Sequence, residues 1–123
     1  MGIQLEKHDQ YPDQIVIRTF KGRIELKDIL DSWKAFKTHP FRTDKTIGMI
    51  TDLTNCDLIL DILEFQKLMK YLKTQDYLKH IKIAVLTDSP KTIVFPMLGE
   101  NTEKSLSIKP FCVINNAVNW ILN

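Results

Sequence analysis

The chain has 123 residues, 44% of them hydrophobic and 26% charged, which is the composition of an ordinary globular domain with room for one core. Seventeen basic against fifteen acidic residues leave a net charge of +2, which by itself favours neither nucleic acid nor an anionic membrane as partner. Two cysteines are too few for a disulfide scaffold and no apolar run approaches about 18 residues, so we expect one cytoplasmic domain over residues 1–123 without integral membrane association.

The first half of the chain predicts a hairpin, a helix and a strand. Residues 3–6 alternate apolar and polar side chains, residues 15–20 are β-branched and aromatic, and Tyr11-Pro12-Asp13 between them indicates a turn. Apolar residues then recur at helical spacing from Leu26 to Phe36, and Pro40 ends this helix. Residues 46–53 are apolar with little charge, as expected of a strand covered by helices, and a polar loop follows.

The second half continues the alternation. Asp61 and Glu64 have capping-box spacing before a helix whose apolar stripe runs from Ile62 to Leu72. Residues 81–86 predict a strand, a helix containing Pro96 follows, and residues 108–114 predict an edge strand because they contain proline. Asn115-Asn116 is expected to cap a last helix over residues 117–122 that docks through Trp120. Trp120→Ala should cost about 3–5 kcal/mol if the ring is fully buried.

The order β-β-α-β-α-β-α-β-α predicts an α/β domain with a mixed, mostly parallel sheet of about five strands and four helices. Right-handed crossovers between neighbouring strands would place the helices mainly on one face of the sheet. Arg18 and Lys82 within strands then indicate that the other face is less covered. Because that face or the last strand is left to be covered, we expect a homodimer.

Three segments carry a resemblance to a known family: residues 22–30 leading into the first helix, residues 51–58 before the second, and the C-terminal residues 113–122. On these segments the chain resembles the STAS domain family, and more closely the small single-domain bacterial proteins called SpoIIAA-like, which are related to CRAL-TRIO lipid-transfer domains. The resemblance covers nearly the whole chain. It implies a SpoIIAA-like fold and a regulatory, protein-binding role.

The chain departs from that family at the phosphorylation switch. STAS antagonists carry a serine or threonine directly after an aspartate at the start of the second helix, whereas this chain has Ile62 and Leu63 after Asp61. Burial is the expected reason for these two apolar side chains. The nearest hydroxyl, Thr54, lies between acidic residues that would repel a phosphate. We therefore predict that the protein is unphosphorylated and that any partner binding is constitutive or controlled by a ligand.

Polar side chains after the third and fourth predicted strands are the candidate partner-binding or ligand-binding residues. In open α/β sheets, ligands bind beyond the carboxyl ends of the strands. The same residue types also serve turns and helix caps. The candidates are Asp52, Thr54, Asn55, Asp57, Asp61, Asp88 and Ser89.

The remaining reactive side chains suggest no catalytic or metal chemistry. His8, His39 and His80 have no metal-ligand spacing, and Cys56 and Cys112 are expected to be buried structural thiols. The lysines at positions 67, 70 and 73 are expected on a solvated helix face. We expect no cofactor.

Three functions remain open. The preferred one is a non-enzymatic regulatory module that binds an unidentified protein partner, without nucleic acid. The alternative, which the CRAL-TRIO kinship implies, is a small carrier of a lipid or apolar ligand held between helices and sheet. The third is a small enzyme that uses the loop from Asp52 to Asn55.

Overall fold

The computed structural model of the chain describes residues 2–88 and 106–123. Their strands form one five-stranded sheet in which spatial order equals chain order: β1 (Gly2–Lys7), β2 (Ile15–Glu25), β3 (Gly48–Ile59), β4 (Lys82–Leu86) and β5 (Ser107–Phe111). β1 is antiparallel to β2, and the other neighbours are parallel. The predicted mixed, mostly parallel sheet is confirmed, and Pro110 lies in β5 at the end of this strand order.

The described residues form three α-helices and one 3-10 helix: α1 (Leu26–Lys37), α2 (Ile62–Lys73), the 3-10 helix Asp76–His80 and α3 (Ile114–Leu122). Four α-helices were predicted. The missing one, which contains Pro96, falls within residues 89–105 and so lies outside the described part of the chain.

One face of the sheet, here called the helical face, packs against α1 and α2. Its side chains include Val16, Phe20 and Met49, which join a single apolar cluster with residues of both helices. Trp33 and Phe36 bring α1 into this cluster, and both are almost fully buried. Burial of these large side chains is the main favourable term holding the helices to the sheet.

The opposite face packs against α3, so the expectation that helices collect mainly on one face is only partly right. Ile15, Ile50 and Ala84 of the sheet form a second apolar cluster with Ala117 and Ile121 of α3. Lys82 also lies on this covered face.

Trp120 is only half-buried at the margin of this second cluster, with its ring centroid 5.6 Å from that of Phe111. The helix therefore docks through its smaller apolar residues. Because the Trp120 ring is not fully buried, the cost of about 3–5 kcal/mol predicted for Trp120→Ala does not apply. Lys82 Nζ donates to the backbone oxygen of Trp120 at 2.8 Å, which satisfies a carbonyl in the last turn of α3.

β2 and β3 are longer than predicted, because the polar stretch expected as a loop continues as strand. Gly22, with φ of 75°, lets β2 pass through a position expected to end it. Thr19 pairs with Asp52 and Lys21 with Asn55, so two residues of β3 oppose Phe20 alone in a bulge. Beyond it, residues 21–25 of β2 pair with residues 55–59 of β3, and we call this pair the β2–β3 extension.

The predicted cap of α2 is confirmed. Asp61 Oδ1 accepts the backbone N–H of Glu64 at 2.8 Å, and Glu64 Oε1 accepts that of Asp61 at 3.3 Å. The burial predicted for the next two residues is wrong: the exposed fractions of Ile62 and Leu63 are 62% and 68%. They lie in the first turn, where α2 does not yet cover the sheet core.

Two further predictions are corrected near the C-terminus. α3 begins at Ile114 with Val113 as its cap residue, so Asn115 and Asn116 lie inside its first turn rather than before it. Cys112 is exposed and Cys56 half-buried, so the prediction of two buried thiols is wrong; both thiols are free. Cys112 follows directly after the edge strand, where no described element covers it.

Candidate functional site

A partly enclosed cavity of about 90 Å³ lies between the helical face, α1 and α2. Its described lining is apolar except for one arginine and one threonine. Strands β2 to β5, both helices and the segment between β3 and α2 contribute Arg18, Phe20, Ile29, Trp33, Thr51, Leu53, Leu58, Leu60, Phe65, Leu68, Met69, Leu72, Ile83, Val85 and Ile108.

Arg18 brings a charge into this apolar space. It follows Val16 by two residues on β2, so its side chain points to the helical face beneath α1. It is 3% exposed, which corrects the expectation that a mid-strand arginine marks an uncovered face. Nη2 donates to Thr51 Oγ1 at 3.0 Å and Nη1 donates to Ser32 Oγ at 3.3 Å.

Aromatic rings rather than carboxylates surround this guanidinium. Its Cζ lies 4.0 Å from the centroid of the Trp33 ring and 5.0 Å from that of Phe20, both within cation–π range. No described carboxylate forms an ion pair with it. Nε is buried without a hydrogen-bond acceptor. Burial lowers the pKa of Arg18 to about 9, so the side chain remains a cation at neutral pH.

The predicted site residues lie elsewhere. Asp52 alternates with Thr51 and Leu53 along β3, so its side chain lies on the face of the sheet away from the cavity. Its Oδ1 accepts the backbone N–H of Thr54 at 2.9 Å and the hydroxyl of Thr54 at 2.7 Å. This pair closes the turn of the bulge, which is a structural role.

The other predicted candidates are dispersed. Asn55 and Asp57 are exposed on the β2–β3 extension, Asp61 caps α2, and Asp88 is exposed after β4. Ser89 lies outside the described residues. The hydrogen bonds of the described residues bring only Asp52 and Thr54 together among these candidates.

Two other titratable groups are perturbed close to these regions. Burial, with Asp52 and Asp57 nearby, raises the pKa of the Cys56 thiol, which makes it a weaker nucleophile. Burial, followed by the neighbouring Tyr71, raises the pKa of Tyr77 to about 12, and its hydroxyl donates to the backbone oxygen of Trp33 at 3.4 Å. Neither group has the features of a catalytic base or nucleophile.

The residue that sequence reasoning missed is Arg18. A charged side chain inside an apolar strand is rare, so the sequence did mark this position as unusual. It did not show which face of the sheet α1 covers, and so whether Arg18 is exposed or buried. The rest of the cavity lining has the same apolar spacing as ordinary core and gave no separate signal.

Residues 2–88 and 106–123 contain neither a candidate metal site nor a candidate membrane span. No group of three or more His, Cys, Asp or Glu side chains there could hold a metal ion. No helix in these ranges has the length and apolar character needed to cross a membrane.

Comparison with known proteins gives a match in structure alone. No family model and no curated protein matches the chain. One solved structure, that of an uncharacterised protein of the DUF3478 family with a SpoIIAA-like fold from Shewanella loihica PV-4, superimposes with a TM-score of 0.58. The match covers 98% of this chain and 92% of that one at 15% identity. The chain thus has a SpoIIAA-like fold, which confirms the STAS-like architecture that its sequence resembles.

Proposed function

We propose that the chain is a non-enzymatic cytoplasmic module that binds a small, mainly apolar molecule in the cavity between α1, α2 and the sheet. The main observation that supports this proposal is the cavity itself. Protein interiors are close-packed, with few voids larger than a water molecule. A closed void of about 90 Å³ would cost about 2 kcal/mol of stability; this cavity is only partly enclosed, so that value is the upper bound of what a bound apolar group offsets.

Several features of the described residues support binding rather than catalysis. The cavity walls present apolar side chains, the guanidinium of Arg18 and one hydroxyl, that of Thr51, which already accepts a hydrogen bond from Arg18. They offer no nucleophile paired with a base. The free thiols of Cys56 and Cys112 favour a reducing compartment and thus the cytoplasm.

The test is an NMR titration with 1-hexanol, a small neutral apolar probe. We expect shifts of the amide signals of cavity-lining residues that saturate with one binding site. Leu58→Phe should abolish them, because Leu58 lines the cavity and the larger ring fills it. Ile59→Phe is the matched control, since the next residue of β3 faces the opposite way and does not line the cavity.

Two results would contradict the proposal. One is the absence of saturable shifts in the wild-type protein. The other is binding by Leu58→Phe that equals binding by Ile59→Phe. Native mass spectrometry of protein purified without denaturation provides the complementary measurement, in which a co-purifying molecule lost from Leu58→Phe supports the carrier function.

A second candidate function, a protein-interaction module, is favoured by the exposure of Ile62 and Leu63 in the first turn of α2. We propose a second copy of this chain as the partner. Two copies that meet at the first turn of α2 bury Ile62 and Leu63 of each protomer against those of the other, which removes this apolar surface from water. Its test is the oligomeric state.

A further inference from the structure

The buried guanidinium of Arg18 has unused binding capacity. Its two terminal nitrogens donate to neutral hydroxyls, those of Ser32 and Thr51, and its Nε–H has no acceptor. The strand residue beside it on β1 is Leu5, which is apolar. A buried cation normally has an anionic partner, because removing a charge from water is costly. Within the described residues, Arg18 has none.

We propose that the cavity binds an aliphatic monocarboxylate whose carboxylate accepts the Nε–H of Arg18 and whose apolar chain lies against Leu58, Phe65 and Met69. This inference rests on the proposed function, since it names the class of ligand for the same cavity. It adds an electrostatic requirement that an apolar cavity alone does not impose. Hydrogen bonds to charged groups are about twice as strong as neutral ones.

Charge balance favours a carboxylate over a phosphate. One carboxylate neutralises one guanidinium, whereas a phosphate monoester, with a charge of about −1.5 to −2 at pH 7, would leave excess negative charge among apolar side chains. Nε is the nitrogen of Arg18 that has no hydrogen-bond partner, and one carboxylate oxygen is enough to accept its N–H, while phosphate presents three acceptor oxygens.

The cavity volume sets the size of the ligand. The cavity holds about 90 Å³, which is less than the roughly 150 Å³ of an engineered cavity that accepts benzene. A chain of a few carbons fits inside, and a longer one must extend through the open side of the cavity. Butanoate and hexanoate are therefore the probes of choice.

The experiment compares hexanoate with 1-hexanol, which has the same chain without the charge, by calorimetry and NMR. We expect wild-type protein to bind hexanoate about tenfold more tightly than 1-hexanol, the preference that one charged hydrogen bond confers. The Arg18→Met protein should still bind 1-hexanol but should no longer bind hexanoate more tightly than 1-hexanol. The exposed Arg23→Met is the matched control and should keep it.

A measurement on wild-type protein keeps the test independent of how Arg18→Met folds. The arginine Nε–H signal that this variant lacks should shift with hexanoate and not with 1-hexanol. Arg18→Lys retains the charge but not the Nε–H, and should lose most of the preference. Inorganic phosphate should neither displace hexanoate nor shift this signal.

The outcomes separate the two proposals. Equal affinities for hexanoate and 1-hexanol, or a preference that survives Arg18→Met, would overturn the carboxylate inference and leave the apolar cavity function standing. Phosphate binding at Arg18 stronger than hexanoate binding would also overturn it. If neither hexanoate nor 1-hexanol binds, the proposed function itself fails.

Discussion

Arg18 keeps a positive charge on a side chain that is almost fully buried. Its desolvation is offset in part by the faces of Trp33 and Phe20 and by two hydroxyl acceptors. Cation–π contacts stabilise a desolvated cation by about 2 kcal/mol, which is less than the cost of burying a charge without a counter-ion. The folded protein without an anion in the cavity is therefore less stable than the same fold with an apolar side chain at this position.

Arg18→Met should raise the free energy of unfolding at pH 7 by about 1–4 kcal/mol, as when buried charged groups are replaced by apolar ones. Burial lowers the pKa of Arg18 to about 9 in the folded protein. In the unfolded chain an arginine stays protonated up to about pH 12. Between these values the unfolded chain binds the additional proton, so wild-type stability gains with rising pH. The advantage of Arg18→Met is thus constant below pH 9 and shrinks above it.

Urea denaturation at pH 7, 9 and 10.5 measures this difference. The raised pKa of Tyr77 acts in the opposite direction above pH 10. Arg18 lowers that pKa, so its removal strengthens this effect in Arg18→Met and adds to the shrinking of its advantage at pH 10.5. Arg23→Met serves as control, because its side chain is mostly exposed, and should match wild type throughout. If Arg18→Met is instead less stable than wild type at pH 7, Arg18 stabilises the fold and this account of its burial is wrong.

At the scale of elements, α3 packs directly against the backbone of the sheet at Gly48. A Cβ built at Gly48 would overlap the side chain of Ile121, with Cδ1 at 2.8 Å and Cγ1 at 2.9 Å. Contacts this short are not tolerated between carbon atoms, so glycine at the start of β3 lets α3 cover this face. The hydrogen bond from Lys82 to the last turn fixes the same end of the helix.

Gly48→Ala should therefore destabilise the protein by about 1–3 kcal/mol, the usual cost of overpacking. In an Ile121→Ala background the same substitution should cost far less, because the atoms it would strike are gone. Chemical denaturation of the four proteins gives the coupling energy. Gly2→Ala is the control, since nothing lies within 4 Å of a Cβ there. Equal costs of Gly48→Ala in both backgrounds would refute this account of α3 packing.

Periodicity and capping predicted most elements because those signals are local. The stripe of α1 and the capping box of α2 are examples, and both appear in the structure. The β2–β3 extension was not predictable in this way: Gly22, Thr54 and Asn55 favour turns, and only pairing between distant strands makes them strand. The cavity was hidden for a related reason, since unfilled volume depends on how side chains from six elements meet.

At the scale of the whole molecule, the large apolar side chains left exposed among the described residues lie at the starts of two helices. They are Ile62, Leu63, Val113 and Ile114. Helices cover both faces of the sheet. The uncovered sheet face on which a homodimer was expected to form is therefore absent from the described part of the chain. The last strand, β5, remains at the end of the strand order as the other basis for that expectation, and the first turn of α2 adds a new one.

We expect the protein to self-associate through the first turn of α2. Analytical ultracentrifugation from low to high micromolar concentration should show a monomer–dimer equilibrium that does not weaken at high salt, because the contact is apolar and salt screens the repulsion between Asp61 and Glu64 of the two copies. Leu63→Glu should abolish the dimer. Gln66→Glu, which adds the same charge at another exposed position of α2, should retain it. A monomer at every concentration would remove self-association from the functions of this surface.

The unequal lengths of neighbouring strands have a mechanical consequence. β4 pairs with β3 only as far as Asp52, and β3 runs on to Ile59, so a two-stranded arm projects about 20 Å beyond the paired body of the sheet. α1 begins at the end of one strand of this arm, and α2 begins three residues after the other. The arm is joined to the body at the bulge opposite Phe20. Bending at that joint would displace the starts of both helices in the same direction, and with them the side of the cavity that lies against their first turns, while Trp33 and Leu68 stay packed on the body of the sheet.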